Sequence, residues 1–343
     1  MIRNGFLLAA ILTLLAASCA AHRDRERSEA ELPPLPSDSK PRPEFFNHPY
    51  GPHERNVLDL WQAQTAKPSP VLVFFHGGGF VGGDKWTLDP DLLERCLEAG
   101  ISVCSANYRY STQQPFPGPM LDGARVVQYL RANARRFHID PRRIAVSGSS
   151  AGSGISLWMA FHDDLADPSS DDPVVRQSSR VSCAGVWGAQ CSYDPRFVKE
   201  VIGGRAYEHP ALPVFYGLSL AELDSPKAYR LYEAAAPITY VSKDDPPVML
   251  YYVEPKDPLP PGPNRGPSVY YADFGKELDG QDRPGEGIHH PKFGEVLKEH
   301  LDPLGVECVL RHRDDYRGKA NPDKEFNKEF VGFLIRHFHM AST

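Results

Sequence analysis

The sequence predicts an α/β fold in which helices flank a mostly parallel central sheet. Strand-length hydrophobic runs alternate with helix-like segments through most of the chain. The run from Val71 to Phe75 is apolar at every position, as a strand covered on both faces requires. The run from Arg143 to Ser147 leads through a glycine-rich turn into the helix-like run from Ile155 to Ala160. Strands joined by helices in this way form parallel sheets.

The other elements follow from periodicity and from capping residues. An early strand alternates from Asn56 to Trp61, and the helix that begins at Asp89 closes at Gly100. A longer helix, at about 119–137, carries apolar residues on one face. Further strands are predicted at 101–108, 181–187, 246–253 and 306–311, and further helices at 290–305 and 321–338.

Two segments depart from this alternation. Between 193 and about 235 the chain is irregular and rich in proline, glycine and aromatic residues, which predicts a small cap or lid insertion. Candidate pocket walls are Trp187, Phe215 and Tyr216, with ordinary core positions as the alternative. The polar loop at 259–287 is longer than a compact connection, so we expect it to be mobile or functional.

The composition is that of an ordinary globular protein. Of 343 residues, 41% are hydrophobic and 24% are charged, which is enough for one large domain, predicted at 46–343. The formal net charge is −6, and no basic run occurs outside the N-terminal linker. The charge pattern therefore argues against a nucleic-acid partner.

The N-terminus predicts export. An apolar run at 6–17 is too short to span a bilayer and suits a signal peptide, predicted at 1–18. The sequence from Leu15 to Cys19 resembles a bacterial lipobox, in which the cysteine is lipidated and becomes the first mature residue; ordinary cleavage near Ala20 or Ala21 is the alternative. The segment at 19–45 is charged and proline-rich and is predicted to be a flexible tether. We expect an exported bacterial protein that is lipid-anchored, periplasmic or secreted, with no other membrane association.

A glycine-flanked serine is the most informative motif. Gly148-Ser-Ser-Ala-Gly152 has the pattern GxSxG and lies between a predicted strand and a predicted helix. In that context the central serine occupies a strained turn that pushes its hydroxyl out above the sheet. Ser150 is therefore the candidate nucleophile.

A second glycine-rich motif, His76-Gly-Gly-Gly79-Phe80, follows the buried strand at 71–75. Acyl transfer builds negative charge on a carbonyl oxygen, and glycines let backbone N–H groups approach that oxygen. A phosphate-binding loop would need a Lys-Ser or Lys-Thr pair, which does not follow here. The motif predicts an oxyanion loop, in which His76 holds the backbone rather than moving protons.

With both motifs in this order, residues 46–343 resemble the α/β-hydrolase superfamily. The resemblance is to the HGGG branch, which includes hormone-sensitive-lipase-like carboxylesterases and polysaccharide acyl esterases. It implies an α/β-hydrolase fold, oxyanion donors at Gly78, Gly79 and Ala151, and carboxylic-ester hydrolysis without a cofactor or metal. It does not identify the ester.

A serine nucleophile needs a base, and the base needs an orienting carboxylate. In this fold the chain order is serine, acid, histidine, and the acid follows the late strand. Asp257, in Asp257-Pro-Leu259, is the candidate acid by its resemblance to the acid loop of related esterases, with Glu254 as its rival.

The base is the open question, because the loop at 313–321 that should carry it contains no histidine. His289 or His290, after the acid loop, would supply a base from a different chain position, which triad chemistry allows. His312 would do so if the last strand stopped early. The third alternative is that no base exists.

The expected function is that of an exported serine esterase acting through a Ser150 acyl-enzyme on short-chain acyl esters, either small molecules or acyl groups linked to polysaccharide. The alternative is a non-catalytic binding protein with the same fold. The intact serine and glycine motifs favour the enzyme, whereas the absence of histidine from the loop at 313–321 favours the binding protein.

Overall fold

This computed structural model describes residues 35–37, 39–259 and 283–340. The chain divides into two compact units, Met1–Arg42 and Pro43–Thr343, and every helix and strand among the described residues belongs to the second. The predicted signal peptide, Cys19 and most of the predicted tether lie outside the described residues. So does most of the loop predicted at 259–287.

The central sheet has eight strands: β1 (Phe45–Pro49), β2 (Val57–Trp61), β3 (Ser69–Phe75), β4 (Ser102–Ala106), β5 (Ile139–Ser149), β6 (Ala184–Trp187), β7 (Val248–Tyr252) and β8 (Cys308–His312). Their order across the sheet is β1-β2-β4-β3-β5-β6-β7-β8. The first two pairings are antiparallel and the other five are parallel. The predicted fold class, an α/β-hydrolase fold with a mostly parallel sheet, is confirmed.

Eight α-helices are described: α1 (Pro90–Glu98), α2 (Gly118–Ala132), α3 (Ala151–Phe161), α4 (Pro195–Val201), α5 (Ala211–Tyr216), α6 (Pro226–Ala235), α7 (Lys292–Leu301) and α8 (Pro322–His337). Among the described residues, none of these helices combines the length and the apolar character needed to cross a bilayer.

Helices cover both faces of the sheet, so its central strands are buried completely. Along β3, alternate side chains enter two different hydrophobic clusters, because successive residues of a strand point to opposite faces. Val73 packs in the cluster that contains Ile155 of α3, and Leu72 packs in the cluster that contains Phe330 of α8. This arrangement explains why the strand is apolar at every position.

The segment predicted to be irregular between 193 and 235 contains three short helices, α4 to α6. Two of its prolines, Pro195 and Pro226, begin helices rather than break them. The side chains of Asp194 and Ser225 accept hydrogen bonds from the N–H groups of Arg196 and Ala228, and a proline follows each capping residue. Proline suits the first helical position, because the N–H that it lacks would have no helical partner there.

Candidate active site

Ser150 occupies the turn between β5 and α3, in the strained conformation that the GxSxG motif predicts. Its backbone has φ 51° and ψ −116°, outside the regions that side-chain-bearing residues normally adopt. The turn is held from the next strand, because the carbonyl oxygen of Trp187 accepts hydrogen bonds from the N–H of Ser150 (2.9 Å) and from the hydroxyl of Ser153 (2.8 Å). The Ser150 hydroxyl thus stands at the carboxyl edge of the sheet.

Close backbone packing explains the second glycine of the motif. A Cβ atom at Gly152 would overlap the carbonyl group of Phe75 at the end of β3. No flexible side chain is involved, so the overlap cannot be relieved by a rotamer change. Gly152 therefore brings the serine turn against the strand that leads into the oxyanion loop.

His289 is the imidazole beside Ser150. Its Nε2 lies 2.8 Å from the Ser150 Oγ, and its Nδ1 lies 3.3 Å from the Oε1 of Glu254. These partners assign the neutral tautomer: Nδ1–H faces the carboxylate, and Nε2 is free to accept the serine proton. One face of the ring lies against Gly188, where a Cβ atom would be 3.1 Å from the His289 Cδ2.

The carboxylate beside His289 belongs to Glu254, and not to Asp257, which the Asp257-Pro-Leu259 motif favours. β7 ends at Tyr252, so Glu254 is the second residue beyond the strand, at the sheet edge where Ser150 also stands. Asp257 lies three residues further along an exposed loop, and the contact recorded for it near the site is made by its backbone carbonyl. The acid assignment therefore moves to Glu254.

The other two candidate histidines position the loop that carries Glu254. His290 Nε2 donates to the carbonyl oxygen of Asp257 at 3.0 Å, and His312 Nε2 donates to the carbonyl oxygen of Glu254 at 2.8 Å. In each ring Nδ1 accepts a backbone N–H, from Lys292 and from Asp314 respectively. Both rings are buried and use both nitrogens in these contacts, so neither is available to Ser150.

The HGGG loop lies beside the serine turn. A Cβ atom at Gly77 would be 3.4 Å from the Ser150 Cβ, and Gly79 lines the same pocket as Ser150 and Ala151. Gly78 and Gly79 have φ values of 114° and 59°, which only glycine adopts readily. Of the predicted oxyanion residues, Gly79 and Ala151 thus line the pocket beside Ser150, and Gly78 precedes Gly79 in the same loop.

His76 stabilises the backbone of this loop through its side chain. Its Nδ1–H donates to the Gly77 carbonyl oxygen at 2.7 Å, and its Nε2 accepts from the Arg55 guanidinium at 3.2 Å. Its ring stacks on Tyr108 with 4.3 Å between centroids. Burial lowers the pKa of His76 to about 4, so the ring is neutral at pH 7 and holds the backbone.

A pocket opens beside Ser150, between the oxyanion loop and the cap. Its volume, including the open mouth, is about 330 Å³. Of the three predicted walls, Phe215 lines it, whereas Trp187 packs on Phe326 at 5.1 Å and Tyr216 packs on Tyr232 at 4.8 Å. The remaining apolar lining comes from Phe80, Ala211, Leu212 and Ile288.

Three polar residues in the pocket escaped the sequence analysis: Gln190, Tyr193 and His209. Gln190 follows β6, and the other two belong to the cap, where neither periodicity nor a motif marks a functional position. Burial, with a smaller contribution from the nearby charge of His289, lowers the pKa of His209 to about 4. Only the folded arrangement shows that these residues line the pocket beside Ser150.

Within the described residues, no group of three or more histidine, cysteine, aspartate or glutamate side chains is arranged to hold a metal ion. The geometry supports nucleophilic chemistry: a serine hydroxyl, an imidazole within hydrogen-bond distance, and a carboxylate on the far nitrogen of that imidazole.

The fold and the site define an α/β-hydrolase with a serine, histidine and glutamate constellation. The chain belongs to the BD-FAE family, whose model matches residues 58–261. Esterase LipQ of Mycobacterium tuberculosis is 30% identical over 217 residues, which are 62% of this chain and 49% of LipQ. Carboxylesterase NlhH of the same organism is 36% identical over 104 residues, which are 30% of this chain and 33% of NlhH. The chain thus spans about half the length of LipQ and a third of NlhH.

Solved structures share the fold over most of the chain. A truncated carbohydrate esterase from gut microbiota superposes with a TM-score of 0.63 at 16% identity, covering 89% of this chain and 99% of that one. An acetyl ester-xyloside bifunctional hydrolase from Caldicellulosiruptor lactoaceticus gives 0.62 at 21% identity, covering 89% and 100%. The propionate-bound esterase Est2 of Thermogutta terrifontis gives 0.59 at 18% identity, covering 90% and 98%. At these identities the likeness shows the fold.

Proposed function

We propose that this protein is a serine carboxylic-ester hydrolase that acts on short acyl esters. The observation that carries the proposal is the 2.8 Å contact between His289 Nε2 and Ser150 Oγ, with Glu254 on the other nitrogen of the ring. Such a contact is what a serine hydroxyl needs to become a nucleophile at neutral pH. The relatives LipQ and NlhH, named as an esterase and a carboxylesterase, support the same class.

The reaction follows from the geometry in two halves. Ser150 Oγ attacks the ester carbonyl carbon while His289 Nε2 takes its proton, and the imidazolium is stabilised by Glu254. Backbone N–H groups of the HGGG loop and of Ala151 stabilise the oxyanion. His289 then gives the proton to the leaving alcohol oxygen. Water, activated by His289, hydrolyses the acyl-enzyme and restores the serine.

The pocket favours a short acyl group. Phe80, Leu212 and Phe215 enclose a space of about 330 Å³ next to Ser150, and part of that space is its open mouth. We propose acyl groups carried by carbohydrates as the natural substrates. The predicted export supports this, as do the titles of two fold relatives, a carbohydrate esterase and an acetyl ester-xyloside hydrolase.

The proposal is tested by replacing the nucleophile. Ser150→Ala is expected to lower kcat for p-nitrophenyl acetate by about 10⁴-fold or more, because members of a triad act as one unit. A fluorophosphonate probe should label the wild type and leave the variant unlabelled. Circular dichroism should show the same fold in both.

Ser149 provides a matched control, because Ser149→Ala removes a hydroxyl from the adjacent position of the same motif. This variant is expected to retain probe labelling and activity. Equal esterase rates in the wild type and in Ser150→Ala would remove Ser150 from the mechanism. A wild type that neither reacts with the probe nor cleaves esters would support the binding-protein alternative.

We further propose that Cys19 is lipidated and anchors the enzyme after export, on the strength of the apolar run at 6–17 and the lipobox-like Leu15-Ala-Ala-Ser-Cys19. Cys19→Ala is expected to abolish incorporation of radiolabelled palmitate and to move the protein out of the membrane fraction of expressing bacteria. Unchanged labelling would contradict the lipobox interpretation.

A further inference from the structure

The pocket beside Ser150 is apolar except for a few polar groups, and three of these, His209, Gln190 and Tyr193, have a hydrogen-bonding atom without a partner among the described residues. The Tyr193 hydroxyl is buried against Gly154 of α3, so His209 and Gln190 are the two that remain for a ligand. In binding pockets of this kind, isolated polar groups fix the orientation of the ligand. An acetyl group has no polar atom besides its carbonyl oxygen, which the oxyanion loop takes. Any other polar group in the pocket is therefore available to the alcohol part of the ester.

His209 provides the first such atom. Its Nδ1 accepts the N–H of Ala211 at 3.3 Å, so the neutral ring carries its proton on Nε2. The two carbons that flank Nε2 face Gly79 and Gly285: Cε1 lies 3.5 Å from the Cβ position of Gly79, and Cδ2 lies 2.8 Å from that of Gly285. Nε2–H therefore points into the gap between these glycines, where none of the described residues accepts its proton.

The position of His209 matches the leaving-group side of the reaction. His289 delivers its proton to the alcohol oxygen, so the alcohol must lie next to His289. The two imidazoles are close enough that a positive charge on His289 lowers the pKa of His209. The His209 ring also lies beside Gly79 of the oxyanion loop. A ring placed between the base and the oxyanion loop reaches the alcohol part of a bound ester.

Gln190 provides the second atom. Its amide nitrogen donates to the carbonyl oxygens of Gly188 at 2.9 Å and Ile288 at 2.7 Å, which uses both of its N–H groups. Because both partners are acceptors, the amide orientation is fixed, and Oε1 is left as an acceptor with no donor among the described residues. The side chain lines the same pocket as His209. One donor and one acceptor suit a hydroxyl, which can accept and donate at once.

We propose that His209, with Gln190 in the same pocket, is a specificity-determining residue that recognises a hydroxyl group on the alcohol part of the ester. The preferred substrates are then acyl esters of polyhydroxylated alcohols such as sugars, and simple alkyl esters are poorer substrates. This inference rests on the proposed esterase function and goes beyond it, because it identifies the residues that would select the alcohol.

The test compares two acetate esters of similar ring size: a mono-O-acetylated methyl xyloside and cyclohexyl acetate. His209→Phe keeps a flat ring and removes the donor. It is expected to lower kcat/KM for the acetylated xyloside by about tenfold or more, and for cyclohexyl acetate by less than about twofold. His209→Gln restores an N–H donor and should recover most of the preference for the sugar ester.

His162→Phe is the matched control, because it makes the same replacement in a ring that packs on Trp158 and Tyr240, away from the pocket. It should leave both rates unchanged. If His209→Phe lowers both rates by the same factor, or lowers neither, the specificity role is wrong while the esterase function stands. If the wild type cleaves p-nitrophenyl acetate but neither of these esters, this inference is wrong and the proposed function stands. If it cleaves none of the three, the proposed function fails and this inference falls with it.

Discussion

At the scale of single residues, the decisive contact is the one between the Glu254 carboxylate and His289. When His289 takes the serine proton it becomes positively charged, and a carboxylate 3.3 Å from its Nδ1 stabilises that charge and fixes the tautomer. The ring is 34% exposed, so water screens part of this interaction. The carboxylate should therefore matter greatly for kcat without being as essential as Ser150.

Glu254→Gln is accordingly expected to lower kcat for p-nitrophenyl acetate by roughly a hundredfold or more, with little change in KM. Asp257→Asn is the matched control: it makes the same chemical change on the same loop and should keep kcat within about twofold. Steady-state kinetics of both variants decide between them. A larger loss in Asp257→Asn than in Glu254→Gln would return the role to Asp257.

The sequence predicts Ser150 and the HGGG loop better than it predicts the acid, and the reason is geometric. Both motifs contain glycines that are needed for a particular backbone path, so the chemistry leaves a visible pattern. The acid needs only a carboxylate at a given point in space. Glu254 and Asp257 are three residues apart, and the point at which β7 ends decides between them. The motif-like Asp-Pro-Leu favours Asp257, whereas the carboxylate beside His289 belongs to Glu254.

His209 and Gln190 illustrate a second limit. Neither belongs to a motif, and their meaning comes from partners far away in sequence: Gln190 contacts Ile288, 98 residues later. Such a contact depends on how two segments distant in sequence pack against each other in the fold. Composition and periodicity describe local structure, so they do not predict that packing.

At the scale of structural elements, the loop that carries Glu254 is held by hydrogen bonds from two buried histidines. His312, the last residue of β8, holds the Glu254 carbonyl oxygen, and His290, just before α7, holds that of Asp257. Gln190 ties the neighbouring segment through Ile288. The carboxylate and the imidazole therefore sit on loops whose backbones are anchored by buried side chains, which is how loop residues keep a reactive geometry.

The regular elements follow the sequence closely, and the departures have physical causes. Strands and helices with clear periodicity appear within a few residues of their predicted bounds, as with β3 and α8. β1 escapes prediction because it is a short edge strand that is mostly not buried, and its residues show no apolar alternation. The short cap helices escape because their prolines resemble loop residues, although Pro195 and Pro226 each stand at a helix start.

At the scale of the whole molecule, the parallel sheet explains why distant residues meet. The HGGG loop, Ser150 and Glu254 follow β3, β5 and β7, and parallel strands present their carboxyl ends along one edge. The order in the sheet places β5 beside β3 and two strands from β7. The chain needs only short loops to bring the HGGG loop, Ser150 and Glu254 to that edge.

The same packing buries His76 and partly buries His209 in their neutral form, and this affects stability toward acid. Burial lowers the pKa of His76 and of His209 from 6.5 to about 4. Between these values the unfolded chain binds protons that the folded chain does not, so the free energy of unfolding falls as pH falls from about 6.5 to about 4. Each histidine contributes up to about 1.4 kcal/mol per pH unit, or roughly 3 kcal/mol over the range. Above pH 6.5 neither contributes.

We therefore expect His209→Phe to show a shallower loss of stability with acid than the wild type, and His76→Gln to do the same. Reversible urea unfolding at pH 7.5, 6.5, 5.5 and 4.5 measures the free energy of unfolding for each protein. Carboxylates titrate alike in the wild type and the variants, so the difference between slopes isolates one imidazole, at up to about 1.4 kcal/mol per pH unit. Either substitution can lower stability at every pH through lost packing, which displaces the curve without changing its slope. Parallel curves for the wild type and both variants would show that these rings are protonated in the folded protein well above pH 4.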